Sequence, residues 1–192
     1  MSDIYTNKEG LKIGIYSRNT SNGLLEYALV NKGTTTGGDW INNLQQPMGM
    51  STDMVDLIKY AVSFVNNKTG YEVTMIGHSK GGAEATANAL ATNTNAFTFN
   101  SATPNVPVYD LLYEVDNKKK WHEYTATMVH YAVKGDVLTG TMGTPPYGNT
   151  VYLPNQYPTK WWHSGARIVK NGINNHSMES VIKALIQQEG YN

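Results

Sequence analysis

The chain has 192 residues, 15 basic and 15 acidic side chains, 40% hydrophobic residues and no cysteine. That length fits one domain, residues 1–192 taken whole, large enough to bury most of its apolar surface, and the hydrophobic content excludes a disordered chain. Formal neutrality leaves no basic field for generic nucleic-acid binding, and the missing thiols exclude disulfide scaffolds, Cys-ligated zinc and cysteine catalysis.

Lys12–Tyr16 reads as a short strand and Leu24–Val30 as a second, joined through the Asn22-Gly23 turn. Thr34–Gly38 is a loop, and Asp39 can cap a short helix over Trp40, Ile41 and Leu44. Ser51 caps a longer helix, in which Met54, Leu57, Ile58, Ala61 and Val65 recur at helical spacing. Asn66–Gly70 ends it. Tyr71–Ile76 is a mostly apolar strand, Gly77–Gly82 a turn, and Ala83–Ala91 an Ala-rich helix. Ala96–Phe99 is a strand, Pro107 can start a short helix near Tyr109–Tyr113, and Thr125–Val133 is a further strand. Thr139–Gly165, rich in Gly, Pro and aromatic residues, reads as a long loop with room for a hairpin. Asn175 can cap the last helix, which runs to Gln188 over Met178, Val181, Ile182 and Ile186. Strands alternating with helices imply an α/β fold whose sheet is mostly parallel and mixed at the edge formed by the first hairpin. Chemistry in such folds concentrates at the carboxyl ends of the strands.

Gly77-His78-Ser79-Lys80-Gly81 contains Gly-x-Ser-x-Gly directly between a strand and a helix. A serine held at so sharp a turn needs small residues two positions to either side, because strand and helix nearly collide there. The turn lifts the hydroxyl above the sheet at a helix N-terminus, and the Lys80 backbone N–H then faces the place where an oxyanion would form. Serine is a poor nucleophile without a base to take its proton. The chain order for this elbow is Ser, then Asp or Glu, then His. Asp136, just past an apolar strand, fits as the orienting carboxylate, and His176, at the mouth of the predicted last helix, fits as the base. A second oxyanion donor is expected from a loop after an earlier strand. Gly33 and Thr34 stand there, with the Thr34 N–H and hydroxyl as donors.

Rival readings attach to several of these positions. Asp110 and Asp116 come too early in the topology for the triad acid, and His163, in the long loop, is the other candidate base. His130 lies within a strand and reads as a core histidine. His78 reads as packing and hydrogen-bonding support inside the elbow, His122 as structural or exposed, and Lys118-Lys119-Lys120 as a solvated surface run. Trp40 and Ile41 suit either a lid face or a short helix packed on the core. The aromatic residues Tyr147, Tyr152, Tyr157, Trp161 and Trp162 suit an acyl-binding wall, an interfacial contact, or a loop packed by its own rings.

Together these segments resemble the class 3 (fungal-type) lipase family of the α/β-hydrolases. Lys32-Gly33-Thr34 followed by Asp39-Trp40 resembles that family's Gly-Thr loop and lid-like helix, and Gly77-His78-Ser79-Lys80-Gly81-Gly82 its elbow, except at Lys80. The Lys form resembles a bacterial branch of lipase-like proteins that includes toxin effectors. Phe97-Thr98-Phe99-Asn100-Ser101-Ala102, Asp136-Val137 and His163-Ser164-Gly165 resemble later family segments. The likeness runs from about Leu24 to Ile186, and it lacks the family's helices before the first strand, as expected of a minimal member or a piece of a longer protein.

The resemblance implies an α/β-hydrolase fold and a serine ester hydrolase that works through an acyl-enzyme. Acylglycerols or phospholipids are the implied substrates, with transient contact at a lipid interface and no metal or organic cofactor. A catalytically silent binding module of the same fold is the rival from another class. No run approaches 18 apolar residues, and Met1–Tyr5 carries neither a basic nor an apolar leader segment, so the expected location is the cytoplasm or the exterior by a non-classical route.

Overall fold

Period-two burial builds the centre of the molecule. In β4 (Glu72–His78), Val73, Met75 and Gly77 are buried while Thr74, Ile76 and His78 are half-buried on the other face. The computed structural model describes residues 3–6, 12–32, 52–103 and 123–190. Around β4 these residues form β1 (Asp3–Thr6), β2 (Lys12–Asn19), β3 (Leu25–Asn31), β5 (Asn95–Phe99), β6 (Met128–Val133) and β7 (Asn149–Leu153), in one sheet ordered β1-β2-β3-β4-β5-β6-β7. Pairings β1–β2 and β2–β3 are antiparallel, and those from β3 through β7 are parallel. This is the mixed-edge sheet expected from the sequence, and the fold is an α/β-hydrolase fold.

Register sets what each face buries. Leu29, Met75, Ala96 and Met128 stand side by side across β3–β6. They meet Met54, Leu57, Ile58 and Ala61 of α1 (Thr52–Asn67) and Ala85, Ala87, Ala89 and Ala91 of α2 (Lys80–Thr92) in the main core cluster. Full burial of one Leu or Ile of this kind contributes about 1.5–3 kcal/mol. α2 is buried without a break from Gly81 to Ala91, which its small side chains allow. Two of its buried polar side chains donate within the core: Thr86 Oγ1 to the Gly82 carbonyl (2.9 Å) and Asn88 Nδ2 to Asn31 Oδ1 (3.0 Å). The opposite face, through Phe99, Tyr131, Val133, Val151 and Leu153, packs on Val181 and Ala184 of α5 (Met178–Glu189). Further along that face, over β2–β5, a groove of about 550 Å³ runs past Tyr16, Ala28, Thr74, Ile76 and Phe97.

Several boundaries differ from the sequence reading. β1 had no forecast, its four residues being too short to show a period. Of the predicted Gly77–Gly82 turn, Ser79 alone separates β4 from α2. The predicted 139–165 loop instead contains most of α3 (Val137–Met142) and all of β7, which runs parallel to β6, so there is no hairpin. Only Val151 and Leu153 carry β7's apolar signal, too little to stand out among the surrounding glycines and prolines. Asn175 does not cap the last helix. It lies inside α4 (Gly165–His176), and Ser177 separates α4 from α5 with an extended backbone (φ −64, ψ 148) and a side chain that accepts from the Ser180 N–H. The predicted Ser51 cap, the helix over Trp40–Leu44 and the helix near Tyr109–Tyr113 lie outside the described residues.

Candidate active site

At the carboxyl end of β4 the chain reverses within one residue. Ser79 has φ 59 and ψ −128, a conformation that costs a non-glycine residue on the order of 1–3 kcal/mol and persists only where its surroundings over-determine it. Here they do. The Ser79 N–H donates to the Phe99 carbonyl (3.1 Å), and the Ser79 carbonyl accepts from the N–H groups of Gly82 and Ala102, both at 3.0 Å. The crowding expected of an elbow is plain at Gly77, where a Cβ would stand 1.9 Å from the Gly81 carbonyl oxygen. At Gly82 a Cβ would stand 2.5 Å from Ser101 Oγ, so α2 can lie this close to the chain after β5 only with glycine there. The Ser79 side chain makes no capping bond to its own helix, and Lys80 opens that helix, so its backbone N–H belongs to the first turn.

Asp136 follows β6 at the same end of the sheet. Gly135, with φ +81, makes the turn that a Cβ-bearing residue would resist. Asp136 caps α3, its Oδ2 accepting from the Thr139 N–H (2.7 Å) and Oγ1–H (2.8 Å). Its other oxygen, Oδ1, accepts from His176 Nδ1 at 2.7 Å. A carboxylate can only accept, so the His176 proton sits on Nδ1 and the basic lone pair on Nε2. Asp136 and His176 are both buried, as is Ser79.

His176 ends α4 rather than opening the last helix, and three side chains hold that end in place. His78, the residue before Ser79, donates from Nε2 to the His176 carbonyl (2.7 Å), and its ring lies 4.8 Å from the His176 ring. Burial, and then the neighbouring His176, lower the His78 pKa to about 4, so His78 is neutral at pH 7 and serves as a donor. Asn100, itself at φ 41, donates from Nδ2 to the carbonyls of Asn175 (2.9 Å) and His176 (3.2 Å), while its Oδ1 accepts from the Val133 N–H (2.8 Å). Asn175 ties the chain after β7 to this helix: its Nδ2 donates to Asn155 Oδ1 (2.9 Å), and its Oδ1 accepts from the Gln156 and Tyr157 N–H groups. Asn100 entered the sequence reading only within a family-like segment, and Asn175 only as a helix cap; neither residue type marks a clamp in a single sequence.

The remaining candidates fall elsewhere. His163 is held by the loop, its Nδ1 accepting from the Lys160 N–H (3.2 Å), and has no bond to Asp136. His130 is the core histidine expected of it, its Nε2 donating to the Tyr147 carbonyl and its Nδ1 accepting from Thr98 Oγ1, both at 2.6 Å. Thr34, Asp110, Asp116 and His122 lie outside the described residues. Among the described residues no helix is long and apolar enough to cross a membrane.

Comparison with known proteins gives the chain's fold and its family. A Rhizomucor miehei lipase, solved as a propeptide complex of a deletion mutant, superposes with a TM-score of 0.55 at 14% identity, covering 79% of this chain and 54% of that one. An extracellular phospholipase A1 of Serratia liquefaciens is 34% identical over 93 residues, which is 48% of this chain and 28% of that protein, so the chain spans less than a third of that relative's length. Residues 2–151, a stretch that holds Ser79 and Asp136 but ends before His176, match the phospholipase-like family described as the Tle-like phospholipase domain. With 150 of its 192 residues matched to that family, the chain belongs to the Tle-like phospholipase domain family.

Proposed function

We propose that this chain hydrolyses carboxylic esters of lipids, phospholipids first, through Ser79, His176 and Asp136. The observation that carries the reading is the 2.7 Å bond from His176 Nδ1 to Asp136 Oδ1, at the same sheet end as a serine held at φ 59. The phospholipase-like family and the Serratia phospholipase A1 support the lipid class.

In this mechanism Ser79 Oγ attacks the acyl carbonyl while His176 Nε2 takes its proton, and Asp136 steadies the imidazolium that results. The carbonyl oxygen becomes an oxyanion, held by the Lys80 N–H and by Thr34 as second donor. Collapse of the tetrahedral species breaks the ester C–O bond, and His176 passes its proton to the leaving alcohol. Water, deprotonated by His176, then attacks the acyl-enzyme; the acid leaves and Ser79 regains its proton.

The test is labelling with a fluorophosphonate, followed by peptide mass spectrometry. An adduct on Ser79, absent in Ser79→Ala, together with loss of ester turnover in that folded variant, is the expected result. Ester hydrolysis undiminished in Ser79→Ala overturns the reading.

A further inference from the structure

The chain from Pro154 to Ser164 leaves the carboxyl end of β7, on the same side of the sheet as Ser79 and Asp136, and leads into α4. At its tip Trp161 is 91% exposed and Trp162 60%. Their rings meet edge to face with centroids 5.4 Å apart, and Lys160 Nζ stands 5.0 Å over the Trp162 ring. The helix that follows is equally bare in its first half. Residues 165–170 are all exposed, including Ile168 at 47% and Val169 at 50%, whereas Asn171, Gly172, Asn175 and His176 are buried. The loop is nevertheless built rather than loose: Asn171 Nδ2 donates to the Pro158 carbonyl (3.2 Å), Asn175 holds residues 155–157, and Ser164 accepts from the Arg167 N–H.

Two paired tryptophans held out in solvent on a fixed frame mark a contact site. Its charge says with what. The chain as a whole is neutral, yet residues 137–178 contain no Asp or Glu, and their cations Lys160, Arg167 and Lys170 all fall within this exposed segment. Tryptophans beside Lys and Arg match the layer where acyl chains meet headgroups: the indole ring settles at the boundary and the cations reach anionic phosphates.

We propose that Trp161 and Trp162, with Lys160, Arg167 and Lys170, form a docking surface for an anionic phospholipid bilayer. The inference rests on the lipid-ester reading above, and assigns to that site the surface from which its substrate is drawn. α4 carries Arg167 and Lys170 in its first half, directly after the tryptophan pair, and His176 at its far end, about 14 Å from Arg167 along the helix axis. A docked bilayer therefore lies beside the carboxyl edge of the sheet. Neither signal suffices alone; stable attachment takes an apolar anchor and a basic patch together.

The experiment is co-sedimentation of the full chain with vesicles of pure phosphatidylcholine and of phosphatidylcholine mixed with phosphatidylserine, in low and high salt. Wild type is expected to bind the anionic vesicles, and to be released by salt as screened charges require. Trp161→Ala/Trp162→Ala should lower the vesicle affinity tenfold or more. Lys160→Gln, Arg167→Gln and Lys170→Gln should each lower it about fivefold on anionic vesicles only. Both sets should retain wild-type hydrolysis of a water-soluble short-chain ester, which reports that they fold. Ser79→Ala should bind vesicles as wild type does, so failure of the catalytic reading leaves this result standing. No binding to either vesicle, or binding that survives the double Trp change, overturns the proposal. So does a concentration-dependent dimer that the Trp change abolishes in a protein indifferent to vesicles, which assigns the surface to a second copy instead.

Discussion

The elbow around Ser79 and the arm that carries His176 solve the same problem by different means. At the elbow, position is enforced by covalent neighbours: Gly77 stands where any Cβ would overlap the Gly81 carbonyl, and three backbone hydrogen bonds pin Ser79. In the arm, position is enforced from a distance, by His78 and Asn100 on the His176 carbonyl and by Asn175 on the chain after β7. Local sterics tolerate almost no substitution but need no partner. Side-chain clamps are replaceable one at a time, yet each depends on elements folded far away in the chain. The nucleophile is therefore placed by its own turn and the backbone of the adjoining strand, the base by side chains gathered from across the fold.

Cutting the bond between the two regions should have the largest effect. Asp136→Asn keeps an acceptor for Thr139 but removes the charge that fixes the His176 tautomer, and should lower kcat about 10⁴-fold with the fold intact. Steady-state ester kinetics and a circular dichroism spectrum check both halves. Next comes the elbow itself. Gly77→Ala places a methyl 1.9 Å from backbone and should cost about 3 kcal/mol or more of folding stability, read as a fall in urea midpoint. A wild-type midpoint would mean that the elbow is not set by sterics.

Loosening the arm should cost somewhat less. Asn100→Gly suits the φ of 41 but loses the bonds to Val133, Asn175 and His176, for about 2–3 kcal/mol, and should reduce kcat more than KM because it frees the base rather than the substrate. Equal losses in Gly77→Ala and Asn100→Gly activity, at matched stability, would erase the distinction between the two regions. Acid provides the gentlest probe. His78 and His130 are both lowered below 6.5, chiefly by burial, so the unfolded chain takes up protons that the folded chain does not. Stability is whole above about pH 6.5 and declines as pH falls toward 4; for His78 alone the loss between pH 7 and 5 is on the order of 2 kcal/mol. Urea midpoints measured across that range should fall, and a flat profile would contradict the buried, neutral histidines.

What could be read beforehand follows the same division. The elbow was legible because Gly-x-Ser-x-Gly between a strand and a helix states a steric requirement within five residues. The sheet was legible wherever a strand carried several apolar positions, as in β4 and β6. β7 was not, with two such positions in five residues, and neither was the break between α4 and α5, which rests on one serine side chain. The pairing of Asp136 with His176 was open to a reading from chain order and from their places after a strand and at a helix mouth; that His176 closes one helix instead of opening the next was not, because Ser177 and Asn175 are equally good caps on paper. Asn100 could not be recognised, since a clamp exists only between elements that a sequence does not bring together. Of the aromatic loop, composition does not separate Tyr147, which packs against the core, from Trp161 and Trp162, which stand in solvent.

The strand order of the sheet equals the order of the chain, and that has a consequence in time. A ribosome delivers the N-terminus first, so among the described strands each one from β2 onward emerges to find its neighbour already laid down, and none must be threaded between two earlier ones. Ser79 and its elbow can form as soon as β5 has joined β4. The imidazole of His176 arrives only at the end of α4, 77 residues after the close of β5. Synthesis thus separates the making of the nucleophile from its activation, and a nascent chain stalled short of α4 would carry the serine but lack the group that could make it attack a lipid.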